Sequence, residues 1–252
     1  MNKRSIVLRD LEARTCLKII AGINNFDKER VLQIVKAASQ MKATCVDISA
    51  REDIVIEAIA LASDTAIMVS SIEPSELIRA QELGADMLEL GNFEALHDEG
   101  IFPTAAEVLA WAKEIMDAKT TALISITVPG HLTVAEQVEL ASQLEELGVD
   151  MIQTEGASLV ETSSAGALGQ IEKARLSLAN TLEISKAVSN TFILTASGIS
   201  PDTAKLAIAS GAHGIGVGKY VNKLESELEM LAAITALRSA LAKTVQVSAV
   251  GL

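Results

Sequence analysis

The feature that most constrains the fold is a regular alternation between short apolar segments and longer amphipathic segments along the whole chain. The apolar segments have the length and composition of strands that are buried on both faces of a sheet. Eight such strands are predicted, at Leu17–Gly22, Thr44–Ser49, Ala66–Ser71, Asp86–Leu90, Ala122–Val128, Asp150–Thr154, Thr191–Ser197 and Gly214–Gly218.

Amphipathic segments with helical spacing lie between these strands and after the last one. Start and stop signals support them. Thr133 is followed three residues later by Glu136, as in a capping box, and Gly148 stands where a left-handed C-cap is expected. The predicted helices are Asp27–Met41, Asp53–Leu61, Ser75–Leu83, Ala105–Ala118, Val134–Leu147, Ile171–Val188, Asp202–Ser210 and Asn222–Lys243.

Strands that are buried on both faces and separated by helices require a parallel sheet. Eight strand–helix units in 252 residues match a (β/α)8 TIM barrel, so we predict a single α/β domain over residues 1–252. A doubly wound open sheet is the alternative, because the number of strands does not show whether the sheet closes. The segment Met1–Arg14 is expected to form an N-terminal capping helix beneath the barrel floor.

The composition excludes several classes of function. The formal net charge is −12, and aromatic residues make up 2% of the chain. Binding of nucleic acid needs clustered cations or stacking rings, so we expect no nucleic-acid partner. No apolar run approaches the roughly 20 residues of a membrane span. The two cysteines, Cys16 and Cys45, do not suggest a disulfide framework, and we expect a soluble protein of a reducing compartment.

A weak internal repeat relates the even-numbered predicted strands. The segments GADMLELGN, GVDMIQTEG and GAHGIGVGK recur at a spacing of about two strand–helix units, and KATCVDIS is a weaker copy. Equivalent positions in the copies should point the same way from their strands. These positions are Asp47, Glu89, Gln153 and Gly216.

Glycine-containing runs follow the seventh and eighth predicted strands, where the site of a TIM barrel lies. The runs are ASGIS and GVGK. Glycines let backbone N–H groups approach an anion, and the loops at these two places often bind phosphate. The alternative is that the glycines only permit tight turns and packing. The predicted phosphate-binding residues are Ser197, Gly198, Ser200, Gly216 and Gly218.

Polar side chains interrupt strands that are otherwise aliphatic, at Lys18, Asp47, Glu89 and Gln153. Buried polar groups need partners or a function, and the apolar helices outside the barrel favour an inward orientation. One interpretation is an ion pair of Lys18 with Asp47 or Glu89. The other makes Glu89 or Asp47 a proton-transfer base, with Gln153 orienting the substrate. Lys18 lies early in its strand, toward the barrel floor, which disfavours a Schiff-base nucleophile.

The loop after the sixth predicted strand runs from Gly156 to about Gln170 and is rich in Ser, Thr, Gly and Ala. Its length and composition predict a lid or a binding loop. The chain has three histidines, His97, His131 and His213, and their spacing does not indicate a ligand set. We therefore predict no metal site and no cofactor.

Several segments resemble one known family, in the same order along the chain. They include LKIIAGINNFD, TCVDIS, GADMLELGNFE, SITVP, DMIQTEG and GAHGIGVGKYVNKL, and they extend over roughly residues 10–225. The chain resembles the hypothetical chloroplast reading frame twenty-three family of cyanobacteria and algal plastids. This resemblance implies a barrel of unknown function, in the cytoplasm of a cyanobacterium or in the plastid stroma. GADMLELG also resembles a strand of the tryptophan synthase α-subunit that ends in a catalytic glutamate, and by analogy that residue is Glu89.

Three functions stay open on the sequence. The first is an enzyme that acts on a small phosphorylated metabolite, such as an isomerase, epimerase or lyase working by proton transfer. The second is a non-catalytic regulator that binds such a metabolite and reports it to a partner, and the third is a scaffold barrel without chemistry. A homo-oligomer is compatible with each of the three.

Overall fold

The structure is a computed structural model that describes residues 2–156 and 164–248. Its strands are β1 (Cys16–Gly22), β2 (Cys45–Ser49), β3 (Ala66–Ser71), β4 (Met87–Leu90), β5 (Leu123–Val128), β6 (Met151–Thr154), β7 (Phe192–Thr195) and β8 (Gly214–Val217). All are parallel to their neighbours, and β1 pairs with both β2 and β8, which closes the barrel. The predicted TIM barrel is confirmed, and the doubly wound open sheet is excluded.

Helices connect the strands and pack around them. The described α-helices are α1 (Lys3–Glu12), α2 (Lys28–Gln40), α3 (Glu52–Leu61), α4 (Pro74–Glu82), α5 (Ala105–Asp117), α6 (Val134–Leu147), α7 (Gly166–Ala187), α8 (Ala204–Ala209), α9 (Lys219–Asn222) and α10 (Glu227–Ser248). A 3₁₀ helix, Phe93–Glu99, follows β4 and was not predicted from the sequence.

Local signals account for several helix ends. The predicted capping box of Thr133 and Glu136 is present at the start of α6, and Gly148 ends that helix in the left-handed region with φ 87°. Three predicted starts are wrong by a few residues. Helix α10 begins at Glu227, after the predicted Asn222, because the separate short helix α9 ends at that residue. Helix α7 begins at Gly166, before the predicted Ile171. Helix α8 begins at Ala204, after the predicted Asp202, because a turn that includes Ser200 and Thr203 precedes it.

Two apolar clusters make up the core. The larger cluster fills the layer between the barrel and its surrounding helices. The smaller one lies inside the barrel at its amino-terminal end, where Val7 and Leu11 of α1 pack with Met68 and Met87 of the strands. Helix α1 therefore closes the floor, as predicted for the N-terminal segment. Asn2 caps this helix by accepting a hydrogen bond of 2.8 Å from the Ser5 N–H.

Above this apolar floor the barrel interior is polar. The side chains of Asp47, Glu89 and Gln153 are fully buried there. A Cβ added at Gly216 would lie 3.1 Å from Gln153 Oε1, so this glycine also faces inward. The four positions in the register of the internal repeat thus point the same way. Among the described helices, none has the length and apolarity that crossing a bilayer requires.

Candidate functional site

A cavity of about 640 Å³ opens at the carboxyl-terminal ends of the strands, where TIM barrels carry their sites. The segments that line it follow β1, β4, β6, β7 and β8, and the first turns of α7 complete the wall. The structure brings five of the predicted site residues together in this lining: Gln153, Ser197, Gly198, Gly216 and Gly218.

One side of the cavity has the features of an anion site. Ser197 and Gly198 are consecutive left-handed residues, with φ 68° and 72°. Within residues 2–156 and 164–248, the N–H groups of Ser197, Gly198 and Ile199 donate to no other group. The exposed lysines that line the cavity also form no ion pair with a described residue; they are Lys173, Lys219 and Lys223.

Gly198 and Ser200 have packing roles of their own. A Cβ added at Gly198 would lie 2.6 Å from the Lys173 carbonyl oxygen, so only glycine fits between this loop and α7. The N–H of Ser200 donates to Thr203 Oγ1 at 2.9 Å, and Ser200 is buried away from the cavity lining. The structure therefore does not bring Ser200 together with the other predicted phosphate-binding residues.

Lys18, Asp47 and Glu89 lie beneath the cavity and pair with one another. Lys18 Nζ is 2.5 Å from Glu89 Oε2 and 3.8 Å from Asp47 Oδ2. Burial alone would lower the pKa of Lys18, but Glu89 and Asp47 outweigh that effect and hold the pKa above its ordinary value. Burial raises the pKa of Asp47 to about 6, against the opposing effect of Lys18. This arrangement matches the ion-pair interpretation of the sequence.

Neutral side chains complete the hydrogen bonding of the two carboxylates. Asn92 Nδ2 donates to Asp47 Oδ2 at 2.8 Å, and Ser70 Oγ donates to Asp47 Oδ1. Glu89 Oε1 accepts from Gln153 Nε2 at 2.7 Å and from Thr127 Oγ1 at 3.2 Å. We call these two carboxylates, Lys18 and their four neutral partners the interior network.

Gln153 and Asn92 are the members of the interior network that reach the cavity lining. Gln153 Oε1 is buried and accepts no hydrogen bond from any residue in the described ranges. Lys18, Asp47 and Glu89 do not line the cavity. Of the predicted catalytic residues, the structure thus brings only Gln153 to the surface that a ligand would touch.

Glu155 is one of the titratable residues at the cavity that the predicted site omitted. It directly follows β6, lines the cavity and is 2% exposed. Burial raises its pKa to about 8, and the neighbouring Glu94 adds to the rise. The sequence could have identified Glu155, because it stands two residues after Gln153 in MIQTEG and therefore lies on the same face of the strand, nearer the mouth.

Backbone groups hold the Glu155 carboxyl in place. Its oxygens accept from the Glu94 N–H at 3.1 and 3.2 Å and from the Gly130 N–H at 3.4 Å. A Cβ added at Gly130 would lie 1.9 Å from the Gly156 carbonyl oxygen, so the loops after β5 and β6 meet only because residue 130 is glycine. Ser197 Oγ donates to Glu94, which ties this corner to the loop after β7.

Other predicted features lie elsewhere. Residues 157–163 of the predicted lid fall outside the described residues, and Gly166–Gln170 begin α7. His213 precedes β8 at the floor end, where its Nδ1 accepts from the Ile193 N–H at 3.0 Å. The rings of His97 and His131 pack with Phe102. In the part of the chain that the structure describes, no group of three or more His, Cys, Asp or Glu is arranged to hold a metal ion.

A second cavity, of about 470 Å³, lies at the opposite end of the molecule beside α1. Several of its polar groups bond to one another or to the backbone. Asp10 accepts from Thr44 Oγ1 at 2.8 Å and pairs with Arg9 at 2.7 Å, and Arg238 donates to the Met41 carbonyl at 2.6 Å. Because the floor of a TIM barrel serves stability, we assign the functional site to the mouth.

Solved structures with the same fold include 3-hexulose-6-phosphate synthase from Salmonella typhimurium. Its TM-score is 0.66 at 13% identity, and the match covers 90% of this chain and 99% of that one. Thiamine phosphate pyrophosphorylase from Pyrococcus furiosus has a TM-score of 0.59 at 18% identity, with 93% and 98% covered. At these identities the likeness shows the fold alone.

Sequence relatives are more specific. The uncharacterized protein ycf23 of Porphyra purpurea is 34% identical over 225 residues, which cover 89% of this chain and 84% of the relative. The ycf23 protein of Cyanidium caldarium is 30% identical over 244 residues, covering 97% of each chain. A family model described as a protein of unknown function, DUF561, matches residues 1–247. The chain therefore belongs to the DUF561 family, among whose sequence relatives are the ycf23 proteins of algae.

Proposed function

We propose that this barrel binds a small phosphorylated metabolite in the cavity at its mouth, with the phosphoryl group between residues 197–199 and residues 218–220. One observation carries the proposal: backbone N–H groups and three lysines without a partner among the described residues line the same cavity. Lysines and free N–H groups are the donors that phosphate oxygens accept from. The volume of about 640 Å³ is in the range of small-molecule sites.

The local charge supports an anion although the whole chain carries −12. Lys173, Lys219 and Lys223 line the same cavity as Glu94 and Glu155. Because the pKa of Glu155 is about 8, its carboxyl keeps its proton at neutral pH. The cavity is then locally positive, and a phosphate ester would be attracted over the last few ångströms.

The solved structures with this fold include 3-hexulose-6-phosphate synthase and orotidine 5'-phosphate decarboxylase. The names of both proteins contain phosphorylated compounds. The likeness supports a phosphorylated ligand here only as an analogy of fold, since activity depends on the particular side chains of a site.

If the barrel is an enzyme, we propose proton transfer, as in an isomerase, epimerase or lyase. Glu155 is the residue best placed to give or take the proton, because it lines the cavity with a pKa of about 8, near the pH at which it would work. Glu89, Asp47 and Lys18 would act only through Gln153 and Asn92, which separate them from the cavity. We regard these three as positioning residues.

A non-catalytic metabolite-binding regulator is the second candidate. The observation that favours it is the pairing of Lys18, Asp47 and Glu89 with one another beneath the cavity. A barrel that keeps its phosphate site but holds its charged interior groups in internal contacts would bind a ligand without converting it. The cytoplasm of a cyanobacterium or the plastid stroma stays the predicted compartment, and the scaffold role and the homo-oligomer stay predictions.

Phosphate binding is tested with inorganic phosphate and the whole protein, by titration calorimetry and by the rise in Tm that a bound ligand causes. The double variant Lys173→Met and Lys219→Met should weaken binding about tenfold or more, because two charged donors are removed. Lys113→Met is the matched control, since Lys113 is exposed on α5 and lies outside the cavity lining. Equal affinity in the double variant and the control would contradict the proposal.

The two candidate functions are separated by hydrogen exchange. Small phosphate esters are incubated with the protein in D₂O, and deuterium in their C–H bonds is followed by NMR. Proton-transfer chemistry introduces deuterium with the wild type and not with Glu155→Gln, which keeps the shape of the protonated carboxyl. An ester that binds tightly to both proteins without any exchange would favour the regulator.

A further inference from the structure

We propose that Gln153 forms a hydroxyl-recognition subsite, so that the ligand of the cavity is a phosphate ester that also carries a free hydroxyl group. This inference rests on the proposed phosphate binding and adds the chemical class of the rest of the ligand: a phosphorylated polyol or sugar. It is carried by one buried acceptor atom, Gln153 Oε1, which accepts from no described residue, and by the place of Gln153 in the cavity lining.

The orientation of the Gln153 amide follows from its neighbours. Nε2 lies 2.7 Å from Glu89 Oε1 and 3.0 Å from Asn92 Oδ1. The Glu89 carboxylate is paired with Lys18 and can only accept hydrogen bonds. Reversing the amide would place its oxygen against this carboxylate, so Nε2 must face the interior network and Oε1 must face away from it.

The acceptor atom, Gln153 Oε1, lies at the base of the cavity and has no donor among the described residues. Gln153 is fully buried, and no residue in the described part of the chain donates to Oε1. An acceptor buried in this way carries a desolvation cost that a donor on a ligand would recover. Asn92, the amide that shares Nε2 with Glu89, also lines the cavity beside it.

Gly216 keeps the side chains of β8 away from that atom. A Cβ at residue 216 would lie 3.1 Å from Gln153 Oε1 and 3.2 Å from both Ala196 Cβ and Ile20 Cδ1. Any side chain at residue 216 would therefore press against Oε1. Because Gly216 lies two residues before Gly218 on the same segment, a group bound here and a phosphoryl group at residues 218–220 can belong to one small molecule.

The chemistry of the surroundings selects a hydroxyl group. A carboxylate or a phosphate on the ligand has no proton to donate to Oε1 at neutral pH. An ammonium group would donate, but the lysines that line the cavity would repel it. A hydroxyl group is small and neutral, and it can donate a hydrogen bond to Oε1.

The test compares two esters of equal charge and chain length, glycerol 3-phosphate and n-propyl phosphate, with inorganic phosphate as the reference for the anion site. Affinities for the whole protein are measured by titration calorimetry. The wild type should bind glycerol 3-phosphate at least about tenfold more tightly than n-propyl phosphate, since a site built for a hydroxyl group disfavours the analogue that lacks it.

Variants show which residues distinguish glycerol 3-phosphate from n-propyl phosphate. Gln153→Met removes the acceptor at similar side-chain length, so the ratio of the two ester affinities should fall close to one while the affinity for inorganic phosphate is kept. Gln137→Met is the matched control, because Gln137 is also buried but its Nε2 donates to the Leu132 carbonyl at 2.8 Å on α6. Gly216→Ala places a Cβ 3.1 Å from Oε1, so it should also lower the ratio of the two ester affinities.

The outcomes separate this inference from the proposed function. Inorganic phosphate that binds, with equal affinity for the two esters in the wild type, overturns the subsite and leaves phosphate binding intact. Absence of binding for all three compounds overturns both. If Gln153→Met does not fold, the subsite is tested with the wild type and Gly216→Ala. A ratio of the two ester affinities that is the same in both proteins counts against the subsite.

Discussion

The interior network and the cavity above it carry similar residue types in different states of pairing. In the interior, the Lys18 ammonium contacts both carboxylates, and each carboxylate also accepts hydrogen bonds from neutral side chains. At the mouth, lysines that form no ion pair with a described residue line the same cavity as a carboxyl that keeps its proton and N–H groups that donate to no described residue. Gln153 and Asn92 belong to both regions, because they bond to the interior carboxylates and line the cavity.

The difference separates a structural use of polar residues from a functional one. Charges that are removed from water must be paired, because an uncompensated buried charge is strongly destabilising. The interior network meets this condition with its own residues. The mouth leaves donors and one acceptor for a ligand to complete, so the functional hypothesis belongs there and not at the most deeply buried charges.

The largest expected effect comes from breaking the interior network. Lys18→Met leaves Asp47 and Glu89 facing each other without a cation, which should lower the free energy of unfolding by about 3–5 kcal/mol. Urea unfolding followed by circular dichroism measures this change. The added substitution Glu89→Gln should restore part of the stability, because only one of the two carboxylates then lacks its cation.

Lys28→Met is the control for this prediction. Lys28 pairs with Glu57 at 2.7 Å, but the side chains of both residues are well exposed, at 35% and 49%. Solvent screens such a pair, so its loss should leave the unfolding curve almost unchanged. Equal effects of Lys18→Met and Lys28→Met would show that the interior charges are not paired as described.

Much of the fold follows from local patterns in the sequence. The capping box at Thr133 and the C-cap at Gly148 depend on neighbouring residues only, and both are present. The closure of the barrel does not follow from such patterns, because pairing of β1 with β8 joins segments at opposite ends of the chain. The turn before α8 involves Ser200 and Thr203, and side-chain bonds of this kind compete with the first turn of a helix.

The sequence predicted the site less completely than the fold, because it does not show how deep in the barrel a residue lies. Period two identifies which strand residues point inward, and it correctly groups Asp47, Glu89 and Gln153. It does not say how far each residue lies from the mouth. Glu89 sits within β4 and is covered by Gln153, whereas Glu155 lies just past the end of β6 and reaches the cavity. That Gln153 Oε1 has no donor among the described residues follows from contacts between several strands and loops. No single segment of the sequence shows these contacts.

The second prediction concerns pH. The pKa of Glu155 is raised to about 8 in the folded chain, so between its ordinary value and 8 the folded state binds a proton that the unfolded state lacks. Stability must then fall as pH rises through this window. From about pH 6 to about pH 8 the wild type should lose on the order of 2 kcal/mol, and Glu155→Gln should lose much less.

Urea unfolding at several pH values measures this difference. Asp47 shifts in the same direction, but its pKa of about 6 confines most of its effect to lower pH. Glu107→Gln is the control, since Glu107 is an exposed capping-box residue with a lowered pKa and should leave the slope above pH 6 unchanged. Parallel slopes for the wild type and Glu155→Gln would contradict the raised pKa at the mouth.

The third prediction compares two glycines of the cavity. Gly198→Ala forces a side chain into a left-handed residue and against the Lys173 backbone, so it should cost about 1–2 kcal/mol or more of stability and weaken phosphate binding. Gly218→Ala should cost less, because its Cβ would meet neighbours only at 3.6 Å or more, although its backbone angles of φ −102° and ψ −89° lie outside the regions that alanine favours. Thermal unfolding and phosphate titration measure both properties, and equal stability of the two variants would show that Gly198 is not held as described.

The smallest expected effect is that of salt, which should act on the mouth and spare the interior. The lysines at the mouth are exposed, so raising the ionic strength to about 0.5 M should weaken the binding of inorganic phosphate by several-fold. The stability difference between the wild type and Lys18→Met should stay constant over the same range, because the pair of Lys18 and Glu89 is fully buried and poorly screened. Titration and urea unfolding at matched salt concentrations give both quantities on the same protein. A stability difference that shrinks with salt would mean that solvent ions reach the interior network, and the distinction between a closed interior and an open mouth would then be wrong.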